Sequence, residues 1–241
     1  MIPGFYDWFQ RWNGNTTWIY SDPHFSDEDL EHGIKNRPSD EVHIENINSC
    51  VGRKDTLILL GDVGNIECVR KLRGYKVLIM GNHDVGRTKY ERRVEKKIYD
   101  GDAWTRDAAI EDMHAQYPGW KVWAIEEVSL HAPFNRWTVY ADNRLFDEVY
   151  EGALIVGEKL ILSHEPVDIS WLYNIHGHDH SRRSRKRPNH LNVCSDVIGY
   201  HPVNLNQFMK TGPAARILSI HRQTINNAAK NKMERHYPNK L

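Results

Sequence analysis

The residues in this sequence with the most chemistry to offer are carboxylates, imidazoles and an amide, and they recur in short polar blocks. Gly81-Asn82-His83-Asp84 presents an amide oxygen, an imidazole and a carboxylate in consecutive positions. Asp22 and His24 stand two apart, Asp62 follows Gly61, His164 follows Ser163, and His178 and His180 again stand two apart. Oxygen and imidazole donors without thiolate suit borderline divalent metals such as Mn, Fe, Zn, Ni or Co. The set is too large for one ion and about right for two. Carboxylates and imidazoles converging on a metal pair make a hydrolytic site. One Asp-x-His, taken alone, reads as a surface turn, so the weight lies in the repetition.

Each block closes an apolar run. Trp18-Ile19-Tyr20 precedes Ser21-Asp22-Pro23-His24, Thr56–Leu60 precedes Gly61-Asp62, and Val77–Met80 precedes Gly81. Lys159–Leu162 leads to Ser163-His164, and Trp171–Ile175 to His176-Gly177-His178. Short apolar runs bounded by turn residues read as buried strands. In α/β sheets the carboxyl ends of the strands are where ligands bind. Between the first strands, Ser39 reads as the cap of a helix with Asp40 and Glu41 in its first turn, Ile44, Ile47 and Val51 as its buried stripe, and Gly52 as its stop. A second helix is expected at about residues 65–73. The resulting β-α-β-α-β order predicts parallel strands with crossover helices.

The other segments are positioned around these. Phe5, Trp8, Phe9 and Trp12 are spaced i, i+3, i+4, i+7, which predicts a helix over 3–12, entered at Pro3 and closed by Asn13-Gly14. It packs on the core, with a partner-binding face as the other reading. Residues 25–38 read as loop. Residues 87–100 read as a charged helix, and Thr105 as the cap of another running to about Gln116. Lys121–Leu130 and Arg136–Ala141 read as strands, with Trp104, Trp120, Trp123 and Trp137 filling the core of a second sheet or else forming a cap. Ala153–Val156 and Lys159–Leu162 flank Gly157-Glu158 as a hairpin. Leu191–Cys194 makes a further strand, and the basic segment from Ile217 a peripheral strand and a helix. No repeat and no boundary divides the chain. We therefore expect a single domain over 1–241 with an insertion or cap-like region at about 87–150.

Composition bounds the class. A hydrophobic fraction of 40% and a charged fraction of 27% suit an ordinary soluble globular chain. The formal net charge of zero argues neither for nor against nucleic acid, whereas the 14 histidines direct attention to metals. Cys50, Cys68 and Cys194 are odd in number and form no CxxC pair, which disfavours a disulfide framework or a cysteine zinc site and suits a reducing compartment. No apolar stretch reaches membrane-spanning length, and the N-terminus lacks a basic-then-apolar signal pattern. The expected location is cytoplasmic, with no membrane partner.

The order Asp-x-His, Gly-Asp, Gly-Asn-His-Asp, His, Gly-His-x-His, from Asp22 to His180, resembles the calcineurin-like metallophosphoesterase superfamily, and its compact bacterial and phage members above all. The resemblance implies an α/β fold in which a two-sheet sandwich is flanked by helices in four layers, α-β-β-α. It assigns Asp22, His24 and His180 to one divalent ion, Asn82, His164 and His178 to a second, and Asp62 to both. Manganese is the foremost candidate, with Fe, Zn, Ni or Co as alternatives. His83 would be catalytic and not a ligand, stabilising the phosphoryl group or protonating the leaving oxygen. Asp84 would orient that imidazole. The implied reaction is hydrolysis of a phosphate ester by metal-activated hydroxide, because two cations lower the pKa of a shared water from ~15.7 towards ~7.

Val63-Gly64-Asn65 stands where the Ser/Thr protein phosphatases continue Asp-Arg-Gly, and Asp84 where they carry Glu, so those readings weaken. Directly after His180 comes Ser181-Arg182-Arg183-Ser184-Arg185-Lys186-Arg187. It is either a solvated loop or a guide for a polyanionic substrate through Arg182, Arg183 and Arg185. The expectation is a phosphodiesterase or nucleotide hydrolase acting on nucleotides or nucleic acid. The alternatives are a broad phosphomonoesterase and, from another class, a nucleic-acid-binding or scaffold protein with a degenerate site. His131, His176, His190 and His201 are read as ordinary histidines, and oligomeric state is left open.

Overall fold

Three apolar runs become parallel neighbours at the centre of one sheet in the computed structural model, which describes residues 4–6, 16–129, 135–157, 159–181, 189–218 and 220–234. Strand β1 is Gly4–Tyr6, β2 Thr17–Tyr20, β3 Thr56–Leu59 and β4 Tyr75–Ile79. β2 pairs in parallel with β3, and β3 with β4, with Ile19, Ile58 and Val77 in register. Helix α1 is Glu28–Gly33, α2 Asp40–Cys50 and α3 Ile66–Lys71. The last two are the crossovers that parallel pairing requires. Leu57, Ile58 and Leu59 have no exposed surface, as a strand covered on both faces demands.

The chain divides into two compact units, Met1–Arg87 with Val149–Leu241, and Thr88–Glu148. A single helical turn, α4, covers Arg87–Tyr90. The smaller unit contains β5 Val94–Asp100, helix α5 Arg106–Gln116, β6 Lys121–Ser129 and β7 Asn135–Asp142. Its sheet is antiparallel in the order β5-β7-β6. Tyr99, Ala109, Met113, Val139 and Ala141 form its core, with Trp104, Trp120 and Trp137 packed on them. Trp123 does not join that core and is 52% exposed.

In the larger unit, β8 Glu148–Tyr150 lies beside β4. β9 Leu154–Val156 and β10 Leu160–Leu162 pair antiparallel, and β11 Tyr173–His176 and β12 His190–Asn192 continue in parallel from β10. Helix α6 is Ser195–Ile198, β13 Val203–Asn204, α7 Leu205–Thr211 and α8 Ile220–Glu234. One sheet runs β1-β9-β10-β11-β12 and the other β13-β2-β3-β4-β8. A shared core draws Ile19, Ile58 and Val77 from one sheet and Leu160, Leu162 and Ile175 from the other. The described residues thus form an α/β protein with three sheets. Among the described residues no helix is long and apolar enough to cross a membrane.

Four local expectations are corrected. Gly4–Tyr6 pairs with β9 as an edge strand and not as a helix entered at Pro3; residues 7–15 lie outside those described. Val94–Asp100 is a strand, because Tyr99 turns into the small core while its charged neighbours face water, as one wet face of an antiparallel sheet allows. The reading of 25–38 as loop misses α1, which Asp27 caps by accepting from Leu30 N at 3.2 Å. Beyond Ile217 the described chain forms α8 without a strand. Ser39 does occupy the cap position of α2, but its side chain makes no capping bond.

Candidate metal centre

The parallel strands β2, β3, β4, β10, β11 and β12 bring their carboxyl ends together, and the turns there interlock through the backbone. Asp22 N donates to Gly61 O at 3.2 Å, His24 N to Asp62 O at 3.0 Å, and Phe25 N to Val63 O at 3.0 Å. These bonds hold an unusual conformation: Asp22, His24, Asp62 and His178 all have positive φ, at 55°, 44°, 50° and 65°. A non-glycine residue there costs on the order of 1–2 kcal/mol, and such outliers cluster at functional sites. Glycines permit the close approach. A Cβ on Gly61 would strike Gly81 N, one on Gly81 would strike Asp62 Oδ1, and one on Gly177 would strike Ser21 Oγ and Asp22 Oδ2.

All seven residues read from the sequence as ligands meet at this edge. Asp62, His164 and His178 form one group of donor atoms, and Asp22, His24 and Asp62 another; within each, the atoms lie within 4.8 Å of one another. Asp62 belongs to both. His164 Nε2 faces Asn82 Oδ1 at 2.8 Å, His178 Nδ1 at 3.1 Å and Asp62 Oδ2 at 3.2 Å. His178 Nδ1 is 3.2 Å from Asn82 Oδ1. His24 Nε2 is 3.5 Å from Asp62 Oδ2, and His180 Nε2 is 4.0 Å from Asp22 Oδ1.

The carboxylate and amide oxygens among these atoms only accept, and the imidazole nitrogens have few protons to share among them. An imidazole nitrogen can give only one proton, yet His164 Nε2 faces two oxygens that only accept, Asn82 Oδ1 and Asp62 Oδ2. His24 Nε2 is buried and has no hydrogen-bond partner. Beside the Asp62 carboxylate, that nitrogen is compatible with a cation. Charge tells the same story. Asp22, Asp62 and Asp84 are buried together. Burial pushes the Asp22 carboxyl up. Burial also opposes ionisation of Asp62, but bonds from His164 and from His83 N hold it below its ordinary value. Burial would lower His164, yet its bond to Asp62 and the charge of Asp22 raise it to about 9. Burial brings His24 down to about 4, leaving it neutral as a ligand must be. The donors present therefore fit divalent cations, by their chemistry and by their unmet demand for positive charge.

His83 is exposed at the mouth of this site. Its N–H donates to Asp62 Oδ1 at 2.9 Å, and its ring lies 5.5 Å from that of His24, edge to face. Asp84 does not orient it. The Asp84 carboxylate instead accepts from Asp62 N at 2.8 Å, Gly81 N at 2.9 Å and Val63 N at 3.2 Å, pinning two strand-end turns to each other.

The sequence reading missed three residues here. Cys194 Sγ is grouped with Asp22 and His180, and its thiol is pushed up by burial. Asp196 accepts from His180 Nδ1 at 2.6 Å and from Tyr200 Oη at 2.9 Å. Arg37 donates to Asp196 at 2.5 Å and to the carbonyls of Pro23 and Asp22 at 2.7 and 3.3 Å. Burial opposes the Asp196 charge, but His180 and Arg37 take it to about 2. The available signal was position: Cys194 and Asp196 follow β12, a sixth strand end. His176 bonds Gly177 O at 2.8 Å, His190 pairs with Asp168 at 2.7 Å, and His201 bonds Gly199 O at 2.9 Å, all outside the ligand groups. His131 and the basic stretch with Arg182, Arg183 and Arg185 lie outside the described residues.

Neither a protein-family model nor a curated protein matches the chain. A crystal structure of a protein of unknown function from Aquifex aeolicus is similar to it at a TM-score of 0.48 and 20% identity, covering 81% of this chain and 98% of that one.

Proposed function

We propose that the chain is a dinuclear metal-dependent phosphoesterase, with its two five-stranded sheets forming the sandwich of the calcineurin-like metallophosphoesterases. The observation that carries this reading is Asp62, shared by two groups of donor atoms at the meeting point of parallel strand ends. Asp22, His24, Asp62 and His180 would hold one divalent ion, and Asp62, Asn82, His164 and His178 the other, with manganese the first choice. When bound, such a pair supplies a water that ionises near neutral pH and a positive field for phosphate oxygens.

The chain's own residues do the rest. Asp62 would hold both cations, its negative charge offsetting their repulsion. Asp196 fixes the ring of His180 through Nδ1 and so turns Nε2 towards Asp22. His83, exposed beside His24, would give a proton to a leaving oxygen. Asp84 fixes the turn that presents Asn82 and His83. No Ser or Cys nucleophile is needed. We favour phosphodiester or nucleotide substrates over phosphoproteins, because of the basic stretch after His180.

The test is metal analysis of the purified chain combined with hydrolysis of a panel of phosphomonoesters, cyclic nucleotides and short RNA and DNA. The expected result is two divalent ions per chain and turnover that a chelator abolishes and manganese restores. Absence of metal-dependent turnover on every substrate would leave the scaffold reading in its place, and turnover confined to monoesters would replace the diesterase reading by the monoesterase one.

A further inference from the structure

Two imidazoles at the strand ends carry a carboxylate on Nδ1. His180 has Asp196, and His24 has Asp27, whose Oδ2 lies 3.2 Å from His24 Nδ1. A carboxylate only accepts, so the proton of the neutral ring sits on Nδ1 and the lone pair stays on Nε2. In His24 that Nε2 lies 3.5 Å from Asp62 Oδ2, and in His180 it lies 4.0 Å from Asp22 Oδ1. His164, in the other donor group, is held differently. Its Nδ1 is 2.8 Å from Leu60 O, a buried main-chain carbonyl directly after β3. One donor group is thus steered by carboxylates and the other by the core backbone.

Asp27 opens a short segment that returns to the same place. Its Oδ1 accepts from Leu30 N at 3.2 Å and so caps α1. Ten residues on, the Arg37 side chain is only 2% exposed. Its Nη2 donates to Pro23 O at 2.7 Å and Asp22 O at 3.3 Å, and its Nη1 to Asp196 at 2.5 Å. One planar fork therefore grips both the turn that presents Asp22 and His24 and the carboxylate that fixes His180, a task for which the point charge of lysine is poorly shaped. Between Asp27 and Arg37, α1 buries no residue, so the helix has little apolar anchorage of its own. We propose that Asp27 and Arg37 are positioning residues for one ion only, the one assigned to Asp22, His24, Asp62 and His180, and that the segment they bound sets the affinity for that ion.

This inference rests on the two-ion reading of the centre, and its test tells the two apart. The metal-free full chain is titrated with manganese chloride by calorimetry, and wild type should show two binding events. Asp27→Ser keeps a hydroxyl that can cap α1 but removes the carboxylate from His24. It should weaken one event about 10- to 100-fold and leave the other unchanged. A role in capping alone predicts no such loss. Asp27→Asn, which keeps an accepting oxygen, should lose less. Arg37→Ala should weaken the same event, with partial recovery when millimolar guanidinium is added; should that variant not fold, the Asp27 pair still decides, because the Asp27 side chain is 32% exposed and bears little of the core. Two events at wild-type affinity in folded Asp27→Ser, or equal weakening of both, overturn the inference and leave the two-ion reading standing. Fewer than two events in wild type overturn the two-ion reading and the inference with it.

Discussion

The carboxylate of Asp196 holds the ring of His180, 2.6 Å from Nδ1, and the same carboxylate receives Arg37. A carboxylate only accepts, so Nδ1 carries the proton and the lone pair of Nε2 is left for a cation. Partners of this kind are worth about 10- to 100-fold in metal affinity. Asp196→Asn should therefore weaken binding of one ion by that factor and spare the other. It should also lower stability, because Arg37 is left buried beside an uncharged amide. Calorimetric metal titration, run well below the unfolding temperature of the variant, decides; two ions bound as tightly as in wild type would remove Asp196 from the centre.

Asp62→Asn addresses the shared ligand. The change keeps shape and removes negative charge from a position in both donor groups. The expected outcome is metal content below two per chain together with loss of phosphoesterase turnover. Two retained ions and near-normal rates would show that the two groups are not joined through this carboxylate.

His83 and Asp84 are neighbours with separable roles. His83 is exposed, so His83→Ala should leave metal content and thermal stability unchanged while turnover falls ~10²–10⁴-fold, the usual range for general acid catalysis. The loss should shrink on nitrophenyl esters, whose leaving groups need little protonation. Asp84→Ala should do the reverse to stability. It strands the buried N–H groups of Gly81, Asp62 and Val63, at a cost of about 1–3 kcal/mol or more. Thermal denaturation of the two variants side by side checks the contrast, and equal midpoints would count against the structural role of Asp84.

Most of the candidate centre was legible because each polar block directly follows an apolar run, so local sequence alone places Asp22, Asp62, Asn82 and His164 at strand ends. Parallel pairing of β2, β3 and β4 then follows from the helices between them. What local sequence does not contain is which distant acid turns inward. Asp196 is 16 residues from His180, and Arg37 is 159 from Asp196, so only the folded chain joins them. The strand Val94–Asp100 was hidden for a different reason. Its charges resemble an exposed helix, and a single buried residue, Tyr99, marks its inner face. Asp84 was misread because a carboxylate beside a histidine in sequence suggests a side-chain pair, whereas three backbone N–H groups lie nearer.

His43 gives a pH test of stability away from the ligands. It is buried on α2, with Tyr20 Oη 3.2 Å from Nδ1 and the rings of Phe25 and Tyr200 against it, and its Nε2 has no hydrogen-bond partner. Burial, reinforced by the charge of Arg37, lowers it from 6.5 to about 4, while Asp196 and Asp40 oppose that shift only in part. The native imidazole is thus neutral at a pH where the unfolded one is protonated. Protons bind preferentially to the unfolded chain between the two values, so they favour unfolding there. The contribution is complete above about pH 6.5 and is lost as pH falls towards about 4, for a total of about 3 kcal/mol. His43→Gln removes this titration. Denaturant midpoints for wild type and variant should therefore converge as pH drops from about 7 to about 4, the wild type falling faster. Parallel curves over that interval would mean that His43 titrates alike in both states and that its burial does not control its charge.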